Sequence, residues 1–288
     1  MFCHLLKSGV SIPLVGLGTY QLRSTGEDDL VHQTLDHALG CGYRLIDTAS
    51  VYRNEADIGK ALKTLCPKYG LSRQDLFITS KLGPKSHGFE NAKMACEKSI
   101  QDLDCGYLDM YLIHWPGAQK LKSEDPMNAK LRAESWRALE DLKQSGLVKA
   151  IGVSNYTTSH LEELLAFAAH PPTLLQVEFH PLLYQKDLLD FCNQNNIWLQ
   201  AYTSLGQGKI LEEPVVNDIT KRYSISPAQV LLKWGLQHGV GVIPKSTNAQ
   251  HIKENIQLFD FTLSEDDMKK LDELNNDKHF CWNASQVA

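Results

Sequence analysis

A chain of 288 residues, 43% hydrophobic and 22% charged, can bury a sizeable core and needs no second domain, so residues 1–288 are read as one. Its net charge of −5 comes from interspersed acids and bases without a long basic tract, which argues against nucleic acid as the principal partner. No stretch reads as a membrane segment.

In chain order, apolar strand-like runs fall near residues 14–18, 44–48, 76–81, 110–115, 150–154, 174–178, 198–203 and 241–245. Helical patterns separate them, for example at 30–39, 92–103, 136–143, 161–169 and 228–236, the last opened by Ser226 as a cap with Pro227 in its first turn. Alternating strand and helix units predict a parallel sheet, and the length suits a (β/α)8 TIM barrel of the α/β class. The longest irregular stretch, 116–130, with Gly117 and Pro126, is the candidate substrate loop.

Four polar residues stand at or just beyond the ends of these runs: Asp47, Tyr52, Lys81 and His114. Strand ends of parallel α/β proteins are where side chains converge on substrate, whereas a single such residue is more often an ordinary solvated group. The combination carries the chemistry. A phenol with a reference pKa of about 10 is a poor acid near neutrality, a neighbouring ammonium favours its ionised form, and a carboxylate keeps that ammonium charged. Tyr52 is then an assisted general acid, with His114 a second donor towards a carbonyl oxygen.

The run Asp47-Thr48-Ala49 with Tyr52 and Glu55, the Lys81 strand, His114-Trp115-Pro116, Gly152-Val153-Ser154-Asn155-Tyr156 and Ile243-Pro244-Lys245-Ser246, in register from about Gly9 to Trp282, resemble the aldo-keto reductase family. The resemblance implies a short N-terminal hairpin closing the barrel bottom. It also implies an NADPH-dependent oxidoreductase acting on a small carbonyl substrate, with NADH at lower affinity, no metal, and catalytic Tyr52, Lys81, Asp47 and His114. No Gly-x-Gly-x-x-Gly fingerprint is present, since Gly16-Leu17-Gly18-Thr19-Tyr20-Gln21 lacks the third glycine, and a barrel that binds dinucleotide by its late loops needs none.

Carried over from the family, Ser154, Asn155 and Gln176 bind the nicotinamide carboxamide and Tyr202 stacks on its ring, with Thr19, Asp47, Ser204 and Leu205 completing that end of the cofactor site. Lys245, Ser246 and Thr247 stand at the 2′-phosphate site, and Glu254 and Asn255 are the expected adenine contacts. One residue departs from the pattern: many NADPH-preferring members carry arginine where this chain has His251, and an imidazole is only partly charged near neutrality. Tyr20, Tyr52, His114 and Trp115 are the substrate residues, with Phe280 and Trp282 as further wall candidates. A short flap at 203–209 and a short tail after Trp282 suggest an open pocket, hence aldehydes, dicarbonyls and reactive ketones.

Seven cysteines, with no Cys-x-x-Cys spacing to suggest a zinc or dithiol centre, read as reduced thiols. An N-terminus whose apolar stretches are broken by His4, Lys7 and Gly9 offers too little for a signal peptide, so a cytoplasmic protein is expected and the sequons at Asn155 and Asn283 are read as coincidences; a monomer is expected as well. The alternative is a catalytically weak, cofactor-binding regulatory or crystallin-like protein; acyl transfer is weaker still, for want of a Gly-x-Ser-x-Gly elbow.

Overall fold

The computed structural model describes residues 2–24 and 29–288. An antiparallel hairpin of β1 (Cys3–Leu5) and β2 (Ser11–Pro13) precedes β3 (Leu17–Gly18), β4 (Leu45–Asp47), β5 (Phe77–Leu82), β6 (Leu108–Ile113), β7 (Val148–Ser154), β8 (Leu174–Glu178), β9 (Trp198–Tyr202) and β10 (Gly241–Val242). The last eight pair in parallel and in sequence order. Gly16 N–H donates to Val242 O at 2.9 Å and Val242 N–H to Leu14 O at 2.9 Å, so the first and last strands meet and the sheet closes. Around it lie α1 (Leu30–Gly40), α2 (Glu55–Lys68), α3 (Phe89–Leu103), α4 (Met127–Gln144), α5 (Thr158–Phe167), α6 (Lys186–Gln194), α7 (Pro214–Tyr223), α8 (Pro227–Gln237), α9 (Ala249–Ile256) and α10 (Glu265–Asp272). This is the expected barrel with its hairpin.

The two-residue period of a strand divides the apolar residues between two cores. Ile46, Ile78, Tyr111, Ile151, Val153, Leu175, Val177 and Leu199 face outward to the helices. Leu45, Phe77, Met110, Leu112, Ala150, Leu174, Trp198 and Ile243 fill the inside, joined by Leu6 and Ile12 from the hairpin, whose His4 ring stacks on Trp198 at 4.8 Å. Burying such a side chain contributes about 1.5–3 kcal/mol. A Cβ on Gly241 would lie 2.2 Å from the Trp198 ring, so glycine there makes room for the indole that floors the barrel.

Along four of the strands the inner row then turns polar: Leu45 leads to Asp47, Phe77 to Thr79 and Lys81, Leu174 to Gln176, and Trp198 to Gln200 and Tyr202. The hydrophobic floor and the polar mouth therefore come from one register.

Element ends differ in detail from what the apolar runs predict. Those runs place the first strand over 14–18 and the last over 241–245, but the ladders there are only Leu17–Gly18 and Gly241–Val242. Pro244 has no N–H to extend the last strand, though its carbonyl still accepts from Gly18 N–H at 3.1 Å. Thr203 leaves the β region at φ 53°, which ends the strand expected over 198–203 at Tyr202. The irregular stretch 116–130 is shorter than expected, since α4 begins at Met127, and the helix expected over 161–169 stops at Phe167. Ser226 caps α8 as anticipated, accepting from Gln229 N–H while the Gln229 side chain accepts from Ser226 N–H.

Candidate active site

Strand parity brings Asp47, Lys81, Gln176, Gln200 and Tyr202 to the C-terminal mouth of the barrel, where His114 follows β6 directly. Tyr52 arrives on the 3₁₀ turn Ser50–Tyr52 that follows β4. Asn54 ties this turn down: it accepts from the Thr48 hydroxyl at 2.8 Å and donates to the carbonyls of Thr19 and Leu22, both at 2.9 Å.

Lys81 is fully buried, and its three ammonium hydrogens have three acceptors: Asp47 Oδ1 at 2.5 Å, Thr48 O at 2.9 Å and, at a long 3.4 Å, Tyr52 Oη. Burial works to lower its pKa, but Asp47 and Tyr52 outweigh that and raise it, so the lysine is held charged. Burial raises the Tyr52 pKa, and the Lys81 charge opposes this without reversing it. The Lys81 charge thus acts on the phenol in the direction expected from sequence, but burial is the larger effect and the phenol is held protonated. His114, 8% exposed, is pushed well below the ordinary imidazole range by burial and by the Lys81 charge. Its ring stands edge-on to Tyr52 at 5.7 Å and its Nδ1 has no partner among the described residues.

Asp47, Tyr52 and His114 open onto a cleft of about 800 Å³, with Lys81 behind them. Its walls include Tyr20, Trp115, Phe280 and Trp282, and the Tyr20 ring lies 5.2 Å from that of Tyr52. Thr19, Ser154, Asn155, Gln176, Tyr202, Ser204, Leu205 and Lys245 also line it. Ser246, Thr247, His251, Glu254 and Asn255 do not. Asn255, 2% exposed, turns inward with its Oδ1 unpartnered, and Glu254 accepts from Gln250 Nε2 at 2.7 Å. The N-terminus of α9 is capped from within, because Asn248 Oδ1 accepts from the N–H groups of Gln250 and His251. An anion near Lys245 thus has side chains to meet more than free helix amides.

Several candidate residues are engaged with one another. Gln176 Nε2 donates to Asp47 Oδ2 at 2.7 Å and to Gln200 Oε1 at 2.8 Å. Tyr202 Oη donates to Asn155 Oδ1 at 2.6 Å, while Asn155, at φ 63°, donates to His114 O at 2.9 Å and Ser154 Oγ at 3.1 Å. Thr19 donates its hydroxyl to Asp47 O at 2.9 Å.

Three residues not singled out from the sequence support this mouth. Gln200 continues the inner row from Trp198, so strand parity was a usable signal. His87 holds Trp115 O with Nε2 at 3.0 Å and meets Ser135 Oγ with Nδ1 at 3.0 Å; burial lowers its pKa to about 4. Glu178 accepts the N–H groups of Phe280 at 2.8 Å and Cys281 at 3.1 Å, and so fastens the segment that walls the cleft. No local pattern marks the last two contacts. Glu55, part of the recognisable motif, lies away from the cleft, with its carboxylate between Ser80 at 2.6 Å and Ser99 at 3.1 Å. Among the described residues no His, Cys, Asp or Glu cluster could hold a metal, the cysteines are free, and no helix is long and apolar enough to cross a membrane.

The family model described as Aldo/keto reductase family matches residues 14–276. A Bacillus subtilis protein named glyoxal reductase is 44% identical over 282 residues, covering 98% of this chain and 96% of that one. The aldo-keto reductase family 1 member A1 of Bos taurus is 41% identical, over 96% of this chain and 90% of its own length. Among solved structures, the Bombyx mori aldo-keto reductase in complex with NADP superposes with a TM-score of 0.88 at 31% identity, over 96% of this chain and 94% of that chain.

Proposed function

Because the chain belongs to the aldo/keto reductase family of oxidoreductases, we propose that it reduces aldehydes, dicarbonyls and reactive ketones to alcohols with NADPH, and that Tyr52 gives the proton. The observation that carries this reading is the three-way hold on Lys81. Its ammonium occupies one lone pair of the Tyr52 oxygen, which leaves the phenol's own hydrogen to point elsewhere, into the cleft.

The residues present fit a nicotinamide dinucleotide. The cleft of about 800 Å³ has a hydrogen-bonding floor, and the late loops bring the exposed cation Lys245 to one wall. At the floor, Ser154 and Gln176 keep a hydroxyl hydrogen and an amide oxygen unused among the described residues, the donor and acceptor a carboxamide needs. Tyr202 offers an aromatic face beside them. When bound, the nicotinamide supplies hydride to the carbonyl carbon.

The chain's own residues do the rest. His114, kept neutral, presents Nε2–H to the carbonyl oxygen in the tautomer that leaves the unpartnered Nδ1 as an acceptor, so no buried N–H is stranded. Tyr52 transfers its proton to the oxygen as negative charge develops there, and Lys81 stabilises the phenolate left behind. Asp47 keeps that lysine charged and in place. Tyr20, Trp115 and Trp282 give the reacting carbon aromatic walls, and the small dicarbonyl in the name of the Bacillus subtilis relative supports a compact substrate.

The test is loss of NADPH absorbance with a panel of glyoxal, methylglyoxal, aromatic aldehydes and simple ketones, for the native chain and Tyr52→Phe. The native chain should reduce several members, and the variant should bind NADPH normally while losing about 10²–10⁴ of the rate. NADPH binding without turnover of any carbonyl would favour a cofactor-binding protein instead, and near-native turnover by Tyr52→Phe would remove the tyrosine from its role.

A further inference from the structure

Next to the catalytic cleft lies a second hollow of about 690 Å³, which shares the walls Val51, Trp115 and Trp282 with it. Its charged lining residues are Arg53, Lys85 and Lys122, with no aspartate or glutamate among them. In a chain of net charge −5 this is an uneven distribution. All three side chains are exposed, and none has a carboxylate partner among the described residues. Of the acids close by in sequence, Glu55 is turned to Ser80 and Ser99, Asp125 accepts Met127 N–H at 2.9 Å, and Glu124 forms no ion pair with Lys122.

The cations are delivered by the same turns that build the active site. Arg53 immediately follows Tyr52, fixed at φ 57° as the cap of the Ser50–Tyr52 turn with its N–H on Ser50 O. Lys85 sits in the 3₁₀ turn Pro84–Ser86 that follows the strand bearing Lys81. The two turns are locked together: Ser50 Oγ donates to Lys81 O at 3.0 Å, and a Cβ on Gly83 would lie 2.7 Å from Val51 Cγ1. The Lys122 loop is tied to them by Gln119 N–H on Pro84 O at 2.8 Å. Buried Asn128 holds that loop in shape, accepting from Ala118 N–H at 3.0 Å and donating to Lys122 O at 2.9 Å and Ser123 O at 3.2 Å. These backbone ties set the shape of the hollow, which carries three cations without an ion-pair partner among the described residues and adjoins the carbonyl site at Trp115 and Trp282.

Resting on the reductase reading, we propose that Arg53, Lys85 and Lys122 form an anion subsite that selects carbonyl substrates carrying a carboxylate or phosphate at the end remote from the reacting carbon. A substrate lying past Trp115 and Trp282 places its carbonyl against Tyr52 and His114 and its anionic end among the three cations. Field focusing between low-dielectric aromatic walls also raises the encounter rate of such anions, and added salt weakens it.

Two matched pairs of aldehydes test this: succinic semialdehyde against butanal for a carboxylate, and glyceraldehyde 3-phosphate against glyceraldehyde for a phosphate. The variant R53Q/K85Q/K122Q should lower kcat/KM about tenfold for the anionic member of at least one pair, the scale that a few exposed charge contacts supply, and leave the neutral members unchanged. Whichever pair responds identifies the anion, and the native preference should shrink with added sodium chloride. Equal losses within both pairs, or no loss in either, overturn the subsite. A readout without turnover separates this from the reductase reading: succinate and inorganic phosphate titrated against the fluorescence of Trp115 and Trp282. A response to either probe that disappears in the triple variant upholds the subsite even if no aldehyde is reduced, and a response that the variant retains overturns it.

Discussion

Lys81 and Asp47 form an ion pair at 2.5 Å with 0% and 2% of their surfaces exposed, above the apolar floor of the barrel. Such a pair costs desolvation on both sides, and its attraction offsets that cost only while each charge keeps its full set of partners. Lys81 also has Thr48 O and Tyr52 Oη, and Asp47 also has Gln176.

Removing the cation alone should therefore be worse than removing both charges. Lys81→Met leaves the Asp47 carboxylate buried with Gln176 as its remaining side-chain donor, and is expected to destabilise by about 3–5 kcal/mol and to slow carbonyl reduction sharply. Asp47→Asn should be milder on both counts, and D47N/K81M should regain part of the stability lost by K81M. Urea unfolding of the four proteins measures this; a double variant no more stable than K81M would show that the pair's charge balance is not what holds the mouth together.

His87 makes stability depend on pH. Its folded pKa of about 4 lies below the ordinary value of 6.5, so between these values the unfolded chain binds the extra proton. The contribution is present above the ordinary value and is lost as pH falls towards the folded one, amounting to about 2 kcal/mol between pH 7 and pH 5. His87→Asn should lose less stability over that interval than the native chain, whatever its stability at pH 7. Identical pH slopes for the two proteins would show that this ring does not titrate on unfolding.

Glu178 should govern the cleft wall that carries Phe280 and Trp282. Burial works to raise its pKa, but hydrogen bonds from the His180 ring and from the N–H groups of Phe280 and Cys281 outweigh it and hold the carboxyl below the usual range. The stabilisation is thus present at neutral pH and is lost on acidification through that lowered pKa. Glu178→Gln puts an N–H where an acceptor is needed, so one anchor is lost. Faster proteolysis in the segment after Asp277 and a raised KM for the carbonyl, with NADPH affinity unchanged, are the expected results; a native cleavage pattern would dismiss the anchor.

His251 bears on cofactor choice. With Asn248 already capping α9, a 2′-phosphate beside Lys245 would depend on side-chain charge. His251→Arg should tighten NADPH by several-fold through a permanent, bidentate cation and leave NADH, which lacks the phosphate, almost unchanged. Fluorescence titration with both cofactors decides this, and an equal change for the two would place His251 away from the phosphate.

The barrel was legible in the sequence because its signals are local. Strand runs of period two, helices of longer period and caps such as Ser226 with Pro227 each depend on residues a few positions apart, and polar residues at the ends of the apolar runs mark Asp47 and Lys81, while Gln176 is reached only through the family resemblance. Short edges were harder: Pro244 and the positive φ at Thr203 end strands earlier than the hydrophobic runs suggest.

What only the tertiary structure decided are relations between residues far apart in the chain. Gln176 reaches Asp47 across 129 positions, Phe280 reaches Glu178 across 102, and Tyr43 Oη closes on Ile252 O across 209. Nothing in the neighbourhood of either partner encodes such a contact, because it exists only once the sheet has closed. The balance of burial against charge is of the same kind. The residue types say that Lys81 lowers the Tyr52 pKa, and it does, yet the depth at which closure buries the phenol outweighs it, since desolvation depends on everything packed around a group and not on one charged partner.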